Sequence, residues 1–519
     1  MSSDLRSDES TSRPTGPLTT GPVGNDRIHS DPVRRDWGVF IDGQWTDPVK
    51  GGRADAVNPA TGEVFATVAS ATTEDADIAV RAASKAARDW AAQSAFDRSR
   101  VSAEAAALII ARRDELALAL SEDQGKPLHA EAYDEVDELA EYFRMAAADA
   151  ERTVGTMPPS TDSRRRVLGY RVPLGVIAVV SPWNWPYTMG AEIFAPALAA
   201  GNAVVWVPAP STTACCSLLT DVMARAGFPP GVFNFVPGPG PVVGDAVVGH
   251  PLVNGVGFVG SVATGRSVAA RSAGKAQVLE LGGNGPFVVL DDADLDLAAS
   301  ATMESAFLCA GQSCTAGELF LVHRKVRAEL VERIAAMAAE IRLGDPLDPA
   351  TTMGPLNNEP TASKFCRHVD DARDRGARVV IGGSRAGGFP TDLYVEPTVL
   401  DGVTAEMAVS REETFGPVVP IMEVSSDAEA LAIANGSPYG LTGAVFTGDL
   451  GRGLRFAETL RTGWVNINAS TNHWESHLPF GGRSGSDSGI GRVGGRYVME
   501  AFTEPKTVIF PLPPEPLGR

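Results

Sequence analysis

Apolar residues recur along the chain in two patterns, and each pattern predicts one kind of secondary structure. From Thr73 to about Arg152 the sequence is alanine-rich with apolar residues at helical spacing, which predicts several amphipathic helices. The apolar positions of this segment include Ile78, Val80, Ala83, Leu108, Ile109, Leu116 and Leu118. After Pro173, short continuous apolar runs alternate with helix-length segments. Such runs are typical of strands that are buried on both faces of a parallel sheet.

The predicted strands form two successive series, so the fold class is expected to be α/β. The first series covers 175–181, 202–207, 231–236 and 255–259, and the second covers 287–290, 320–322, 379–381 and 464–467. A short strand and turn at 37–45 precede the helices. The segment Ser160–Pro173, with its three consecutive arginines, predicts an extended arm, and Lys506–Phe510 predicts a terminal strand.

Length, composition and charge restrict the class of protein. The chain has 519 residues, which predicts two or more domains, and 44% hydrophobic with 21% charged residues is the balance of a globular protein. A net charge of −19 argues against nucleic-acid or anionic-membrane partners. Residues 1–35 are rich in Ser, Thr, Pro, Gly and Asp and predict a disordered N-terminal extension. No apolar run approaches the roughly 18 residues that span a bilayer.

The cysteines do not predict a disulfide-stabilised protein. Their number and irregular spacing fit neither a disulfide framework nor a zinc site, and no metal is expected. They suit a reducing compartment, so the expected location is cytoplasmic. The five are Cys215, Cys216, Cys309, Cys314 and Cys366.

Cys314 is the candidate nucleophile. It lies in the segment Phe307-Leu-Cys-Ala-Gly-Gln-Ser-Cys314, and Glu280, at the end of an apolar strand, precedes it by 34 residues. A lone cysteine is more often a small buried apolar residue. Together, however, a thiol and a separate carboxylate suit covalent catalysis on a carbonyl, in which the carboxylate takes the proton and later activates water.

Three further segments are placed to bind an oxyanion or a phosphate. Asn184 follows a strand in Ser-Pro-Trp-Asn-Trp-Pro, where its amide could serve an oxyanion with the Cys314 N–H or could merely cap a turn. Gly238–Gly244 resembles a phosphate loop without the strict spacing. Gly260 and Ser261 open a predicted helix, whose N–H groups could receive a pyrophosphate.

These segments, in this order, resemble the NAD(P)-dependent aldehyde dehydrogenase superfamily. The late segments Glu412-Glu413-Thr-Phe415-Gly-Pro, Pro479-Phe480-Gly-Gly and Ser488-Gly-Ile-Gly-Arg492 are similar to motifs of that family as well. The resemblance implies aldehyde oxidation through a thiohemiacetal and a thioester on Cys314, with Glu280 as base and Asn184 at the oxyanion. It also implies that Glu413 bonds the nicotinamide ribose and that Phe415 packs beside the nicotinamide.

The resemblance further implies three structural parts and a dinucleotide cofactor. A Rossmann-like cofactor domain is expected over 36–152 and 174–282, an oligomerisation β-arm over 153–173 and 497–515, and a catalytic domain over 283–496. A homodimer or homotetramer follows from the arm. The residues expected to bind NAD or NADP are Ser181, Pro182, Trp183, Val207, Pro208, Pro210, Gly240, Gly244, Gly260, Ser261, Gly282, Glu413 and Phe415.

Departures from the family pattern leave the choice of cofactor open. Val207 replaces a lysine that attracts a 2′-phosphate, and Pro210 replaces a glutamate that repels one. Cys309 replaces an asparagine and is either a packed thiol or, under oxidation, a disulfide partner of Cys314; packing is favoured. Leu319 replaces an arginine, with Glu318 beside it, and no catalytic meaning is assigned to this change.

The substrate is expected to lack a carboxylate. The overall pattern resembles succinate-semialdehyde dehydrogenases, but their two carboxylate-binding arginines correspond here to Glu192 and Leu308. Glu192 would repel a carboxylate or attract an amino-aldehyde, unless it only packs between helices. Neutral aliphatic or aromatic aldehydes and amino-aldehydes are therefore favoured. The aromatic candidates for the entrance are Trp185, Tyr187, Trp474 and Phe480.

Three competing functions stay open at the level of sequence. The first is a succinate-semialdehyde dehydrogenase, which the overall pattern allows. The second is a CoA-acylating relative, in which CoA resolves the thioester, although Glu280 argues against it. The third is a catalytically silent binding or structural relative, suggested by Val207, although Cys314, Glu280 and Asn184 are all present.

Overall fold

The structure is a computed structural model that describes residues 36–512. The predicted extension at 1–35 and the end of the predicted arm at 513–515 lie outside the described residues. The α/β fold class is confirmed, because the two main sheets are mostly parallel and alternate with helices. No helix among the described residues is both long enough and apolar enough to cross a membrane.

The helices begin and end as follows in chain order: α1 (Thr73–Ala91), α2 (Ala95–Ala111), α3 (Arg113–Gln124), α4 (Tyr133–Arg152), α5 (Thr188–Ala199), α6 (Thr213–Arg225), α7 (Asp245–Gly249), α8 (Val262–Arg271), α9 (Leu295–Phe307), α10 (Arg327–Ala338), α11 (Glu359–Asp374), α12 (Ala408–Arg411), α13 (Asp427–Gly436), α14 (Leu450–Thr459) and α15 (Arg496–Ala501). Tighter or wider helical turns cover Leu128–Ala132, Pro210–Thr212, Gly240–Gly244 and Leu308–Gly311.

The strands are β1 (Asp36–Trp37), β2 (Val39–Ile41), β3 (Gln44–Thr46), β4 (Gly52–Val57), β5 (Val64–Ser70), β6 (Arg165–Pro173), β7 (Val176–Val180), β8 (Ala203–Val207), β9 (Phe233–Phe235), β10 (Gly255–Gly260), β11 (Ala276–Leu281), β12 (Gly285–Val289), β13 (Gly317–His323), β14 (Arg378–Ile381), β15 (Thr398–Asp401), β16 (Val418–Val424), β17 (Thr442–Phe446), β18 (Trp464–Ile467), β19 (Gly489–Ile490) and β20 (Thr503–Pro511).

The helical segment 73–152 is confirmed as α1 to α4. Helix α1 begins where Asp75 accepts the Thr72 N–H at 2.8 Å, and α3 ends at Gly125, whose φ of +97° suits a residue without Cβ. Helix α1 buries Ala79, Val80 and Ala83. Ile78 and Leu118, which belong to the same apolar pattern, are exposed because each lies off the buried stripe of its helix.

The first large sheet has the order β19-β11-β10-β7-β8-β9-β2-β3. Its five central strands, β11, β10, β7, β8 and β9, run parallel to their neighbours within that group. Alternate residues of β7 and β8 contribute to two separate apolar clusters, one on each face. This double burial explains why these strands are continuous apolar runs. The turn between β2 and β3 is Asp42-Gly43, with φ of +51° and +78°, which is favoured in a two-residue hairpin.

The second large sheet has the order β14-β15-β16-β13-β12-β17-β18, in which only β14 pairs antiparallel. A third apolar cluster forms its core. Strands β6 and β20 form a separate two-stranded antiparallel sheet over nine residue pairs, from Thr503–Pro173 to Pro511–Arg165. The division into cofactor, catalytic and arm domains stays a prediction, since residues 36 onward cluster as one compact unit.

Candidate active site

The turn that leads to Cys314 has unusual backbone geometry. After α9 ends, Cys309, Ala310 and Gly311 have φ of +52°, +53° and +74°, a left-handed conformation that costs non-glycine residues about 1–2 kcal/mol each. At Gly311 an added Cβ would lie 2.3 Å from the Gly416 carbonyl oxygen. The structure thus places strained backbone immediately before the nucleophile, as is common at functional sites.

Hydrogen bonds from distant residues hold this turn. The Glu131 carboxylate accepts the Cys309 N–H at 3.1 Å, and the Gln312 amide donates to the Cys309 carbonyl at 2.8 Å. The Gln312 amide oxygen accepts the Asn357 N–H at 2.9 Å. The Cys309 side chain is buried as a free thiol, which agrees with its interpretation as a packed residue.

Glu280 and Cys314 face one another although 34 residues separate them in the sequence. Glu280 ends β11, Cys314 precedes β13, and a Cβ on Gly283 would lie 2.3 Å from the Cys314 carbonyl oxygen. The Glu280 carboxyl is buried, and neither of its oxygens has a hydrogen-bond partner of standard geometry among the described residues. Burial raises the pKa of Glu280 to about 8, an increase that the nearby Cys314 thiol partly offsets.

The electrostatics of this pair favour neutral groups in the resting enzyme. Burial, together with the Glu280 carboxyl, raises the pKa of the Cys314 thiol well above its usual range. A carboxyl with a pKa of about 8 is a stronger base than an ordinary glutamate once it is ionised. Glu280 can therefore take the thiol proton when substrate arrives, and it can later take a proton from water.

Asn184 lies between β7 and α5 at the edge of the same site. Its side-chain amide is buried and donates to the Gln312 carbonyl at 2.9 Å. An amide NH₂ has two donors, so this bond fixes the side chain while a second N–H stays available to an oxyanion. Gln312 therefore connects the nucleophile turn to the predicted oxyanion residue.

The start of α5 is anchored by a buried ion pair. Glu135 accepts the N–H groups of Tyr187 and Thr188 at 3.0 and 3.4 Å and pairs with Lys126 at 2.5 Å. The Lys126 ammonium lies 3.5 Å from the centroid of the Trp185 ring. Tyr187, which the sequence suggested for the entrance, is instead fully buried and donates to the Leu116 carbonyl at 3.1 Å. That prediction was wrong because this hydrogen bond draws the ring into the core.

A cavity of about 70 Å³ adjoins Cys314 and contains the predicted substrate residues. Trp185, Glu192, Trp474 and Phe480 all line it. Sequence reasoning missed several other residues of its wall, some beside Cys314 in the nucleophile segment and others in segments far apart in the chain. These are Glu138, Met189, Ser313, Thr315 and Asn472. Leu308 lines the wall as well; in the sequence it was noted only because succinate-semialdehyde dehydrogenases have an arginine at that position.

Glu192 lines this cavity as a buried carboxyl. One of its oxygens has no hydrogen-bond partner among the described residues, and burial, with Glu138 and Glu280 nearby, raises its pKa well above the usual range. Burial therefore favours the neutral form of the Glu192 carboxyl. The like-charge repulsion of a carboxylate substrate stays a prediction. Glu138 has its pKa raised to about 7 by burial, and the Tyr142 hydroxyl donates to it at 3.2 Å.

A second cleft of about 230 Å³ lies on the other side of Cys314. Seven residues predicted to bind the cofactor line it: Pro182, Trp183, Gly260, Ser261, Gly282, Glu413 and Phe415. Helix α11 adds Pro360, Thr361 and Lys364, which the sequence did not reveal because a single lysine on an amphipathic helix is an ordinary surface feature. Helix α8 starts directly after Ser261, whose hydroxyl accepts the Thr264 N–H at 3.4 Å, so the N–H groups of Val262 and Ala263 are the ones that could receive a phosphate.

The remaining predicted cofactor residues lie near the carboxyl edge of the first sheet but outside this cleft. Ser181 accepts the Trp206 indole N–H at 2.8 Å, so its hydroxyl serves the core. Val207 and Pro208 are buried, and Pro210 is exposed. At Gly240 and Gly244 an added Cβ would meet no atom within 4 Å.

The fold and the site together define a class of enzyme. A parallel sheet with a dinucleotide-sized cleft meets a cavity that contains a thiol and a buried carboxyl, which is the arrangement of a cysteine-dependent carbonyl oxidoreductase. The model of the aldehyde dehydrogenase family matches residues 45–508. The chain belongs to this family.

Individual relatives differ in the aldehydes for which they are named. The chain is 38% identical to 3-sulfolactaldehyde dehydrogenase of Pseudomonas putida over 474 residues, 91% of this chain and 96% of the relative. It is 36% identical to the peroxisomal aminoaldehyde dehydrogenase 1 of Malus domestica, over 92% of this chain and 97% of the relative. Betaine aldehyde dehydrogenase from Staphylococcus aureus in complex with NAD⁺ has a similar structure, with a TM-score of 0.89 and 32% identity. The match covers 93% of this chain and 96% of that structure.

Proposed function

We propose that this protein oxidises aldehydes to carboxylic acids with NAD(P)⁺, and that Cys314 is its nucleophile. One observation carries the proposal: Cys314 and Glu280 are the two residues that line both the substrate cavity and the second cleft. Two ligands held in these two spaces would therefore meet at the same thiol. Hydride transfer from an aldehyde to a dinucleotide requires this geometry.

The residues of the chain account for each proton and bond on the protein side. Glu280 takes the Cys314 proton, and the thiolate adds to the aldehyde carbon. The Asn184 amide, with the Cys314 N–H, stabilises the alkoxide. The nicotinamide, when bound, supplies the hydride acceptor. Glu280 passes the thiol proton to solvent and, as a carboxylate again, removes a proton from a water that attacks the thioester. The C–S bond then breaks, and the Cys314 sulfur leaves as the acid is released.

The cofactor would be held by residues from both large sheets. Trp183, Gly260 and Ser261 line the cleft from the first sheet, and Phe415 contributes its ring, which meets Trp183 edge to face at 5.5 Å. Besides the Cys314 thiol, the ionisable residues of the cleft are Glu280, Glu413 and Lys364. The choice between NAD and NADP stays open, because Val207 and Pro210 supply neither the attracting nor the repelling charge.

The cavity supports a substrate without a negative charge. Its wall has three aromatic rings and two carboxyls beyond Glu280, and it includes no lysine, arginine or histidine among the described residues. A carboxylate or sulfonate would lose its hydration there without a cationic partner. An ammonium group would instead favour ionisation of Glu138 and Glu192 and pair with them. Amino-aldehydes and neutral aldehydes are thus proposed over succinic semialdehyde and 3-sulfolactaldehyde.

The test compares kcat/KM for hexanal, benzaldehyde, 4-aminobutanal, succinic semialdehyde and 3-sulfolactaldehyde, with NAD⁺ and with NADP⁺. We expect the neutral or amino substrates to exceed both anions by about tenfold or more, which is about 1.4 kcal/mol. In Glu138→Gln and Glu192→Gln, 4-aminobutanal should lose about tenfold while hexanal changes less than about twofold. A wild-type preference for either anion would contradict the proposed substrate class, and oxidation of none of the five would contradict the proposed activity.

A homo-oligomer is also proposed. The sheet of β6 and β20 has two strands only, and it exposes Leu168, Tyr170, Ile509 and Phe510. A two-stranded sheet is marginally stable alone, and its outer edges can pair with another chain. Light scattering after size exclusion should give a dimer or tetramer mass at micromolar concentration, and a monomer mass would contradict the proposal.

A further inference from the structure

Glu318 is a buried carboxyl in a position where the sequence suggested no function. It lies at the start of β13 and is only 1% exposed. Both of its oxygens are engaged by backbone: the Thr414 N–H donates to one at 2.5 Å, and the Phe415 N–H donates to the other at 2.7 Å. A single side chain therefore holds two consecutive peptide groups of another segment.

The segment that Glu318 holds is the part of the second cleft that carries Glu413 and Phe415. Phe415 has a φ of +60°, a left-handed conformation that a phenylalanine does not adopt without support from its surroundings. The two hydrogen bonds that Glu318 accepts provide that support, because they orient the two peptide groups that precede the Phe415 Cα. In consequence the Phe415 ring meets Trp183 edge to face across the cleft.

The same segment is attached to the first sheet by its other end. Glu413 accepts the Gly283 N–H at 2.9 Å, and it packs so closely that a Cβ on Gly282 would lie 2.6 Å from a Glu413 oxygen. Residues 413–415 therefore span between the strand that bears Glu318 and the loop that follows Glu280. Loss of either attachment would free Glu413 and Phe415 together.

We infer that Glu318 is a positioning residue for the cofactor: it fixes residues 413–415 so that Glu413 and Phe415 form the wall against the nicotinamide half of NAD(P)⁺. This inference rests on the proposed function, because it assumes that the second cleft binds the dinucleotide. Glu318 lines neither that cleft nor the substrate cavity, so it touches no ligand and acts through the backbone it holds. Burial, with Glu413 nearby, raises the pKa of Glu318 to about 8, and both oxygens of the carboxyl serve as acceptors for the two N–H groups.

The test uses Glu318→Gln, which keeps one acceptor but turns an NH₂ toward the second N–H, and Glu318→Asp, which keeps the carboxyl but shortens the side chain. The Kd for reduced cofactor is measured by its fluorescence, together with KM for cofactor and aldehyde. Hydrolysis of p-nitrophenyl acetate without cofactor reports on Cys314 and Glu280 alone. We expect the cofactor Kd and KM to rise about tenfold in Glu318→Gln and less in Glu318→Asp, with ester hydrolysis within about threefold of wild type.

Asp371→Asn is the matched control, since Asp371 also holds backbone through a carboxylate, accepting the Ala408 N–H at 2.8 Å, but upstream of residues 413–415. It should leave the cofactor Kd within about twofold. The inference is overturned if both Glu318 variants bind cofactor as the wild type does, if Asp371→Asn weakens binding equally, or if ester hydrolysis falls as much as cofactor affinity. Because binding needs no turnover, failure of aldehyde oxidation alone would count against the proposed function and not against the role of Glu318.

Discussion

Replacing Glu280 with glutamine should remove activity and yet make the folded protein more stable at alkaline pH. The Glu280 carboxyl is buried without a regular hydrogen-bond partner among the described residues, so the folded state holds a proton up to a pKa of about 8, against an ordinary value of 4.5. A raised pKa stabilises the fold at low pH, and this stabilisation is lost as the pH rises toward and through 8. Glutamine does not ionise, so the variant does not lose this stability as the pH rises.

The size of the effect follows from the two pKa values. Between pH 6 and pH 9 the unfolded wild type is already ionised, while the folded wild type gives up its proton around pH 8. At 1.36 kcal/mol per pH unit, integration over this interval gives about 2.7 kcal/mol of stability lost by the wild type and not by Glu280→Gln. With an unfolding entropy of about 2.1 cal/mol/K per residue, this is roughly 2.5 °C in Tm.

The assay is thermal unfolding of wild type and Glu280→Gln at pH 6, 7, 8 and 9, at one protein concentration and one scan rate. The Tm of the variant relative to wild type should rise across this range by roughly 2.5 °C. Glu458→Gln, which changes an exposed glutamate of α14, should follow the wild type at every pH. A Tm difference between Glu280→Gln and wild type that stays constant from pH 6 to pH 9 would refute the buried, protonated carboxyl.

Three further results are expected. Cys314→Ala should abolish aldehyde oxidation and leave cofactor affinity intact, as measured by turnover and by cofactor fluorescence, and substantial residual turnover would rule out the thiohemiacetal. The kcat/KM of wild type should rise about tenfold from pH 7 to pH 9, because the ionised fraction of a group with a pKa of about 8 rises by that factor; a flat profile would remove Glu280 as the base. Lys126→Met should destabilise the fold by about 3–5 kcal/mol, since it leaves Glu135 buried and unpaired, and an unchanged denaturant midpoint would contradict this.

Much of the fold could be predicted because its determinants are local. Runs such as Val176–Val180 and Ala203–Val207 are apolar throughout, and the structure buries both faces of these strands. The nucleophile segment and the loop after Glu280 are compact motifs, so their residues could be identified without knowing how the chain brings them together. The roles assigned to them stay predictions that the substitutions at Glu280 and Cys314 test.

The rest could not be predicted because it depends on contacts between distant segments. The pKa of Glu192 is raised by burial and by Glu138 and Glu280, and neither neighbour is near it in the sequence. Tyr187 was misplaced because its partner, the Leu116 carbonyl, belongs to another helix. Glu131 and Glu138 lie two helical turns apart, and acidic residues among apolar positions were the one signal that could have drawn attention to them.

The two spaces that meet at Cys314 have a consequence for the order in which ligands come and go. Among the described residues, the linings of the cavity and the cleft share Cys314 and Glu280 alone. A dinucleotide confined to the cleft would therefore leave the rest of the cavity wall free for the aldehyde. Any compulsory sequence of addition in steady-state kinetics would therefore arise from a change in protein shape when the first ligand binds, and not from steric blocking.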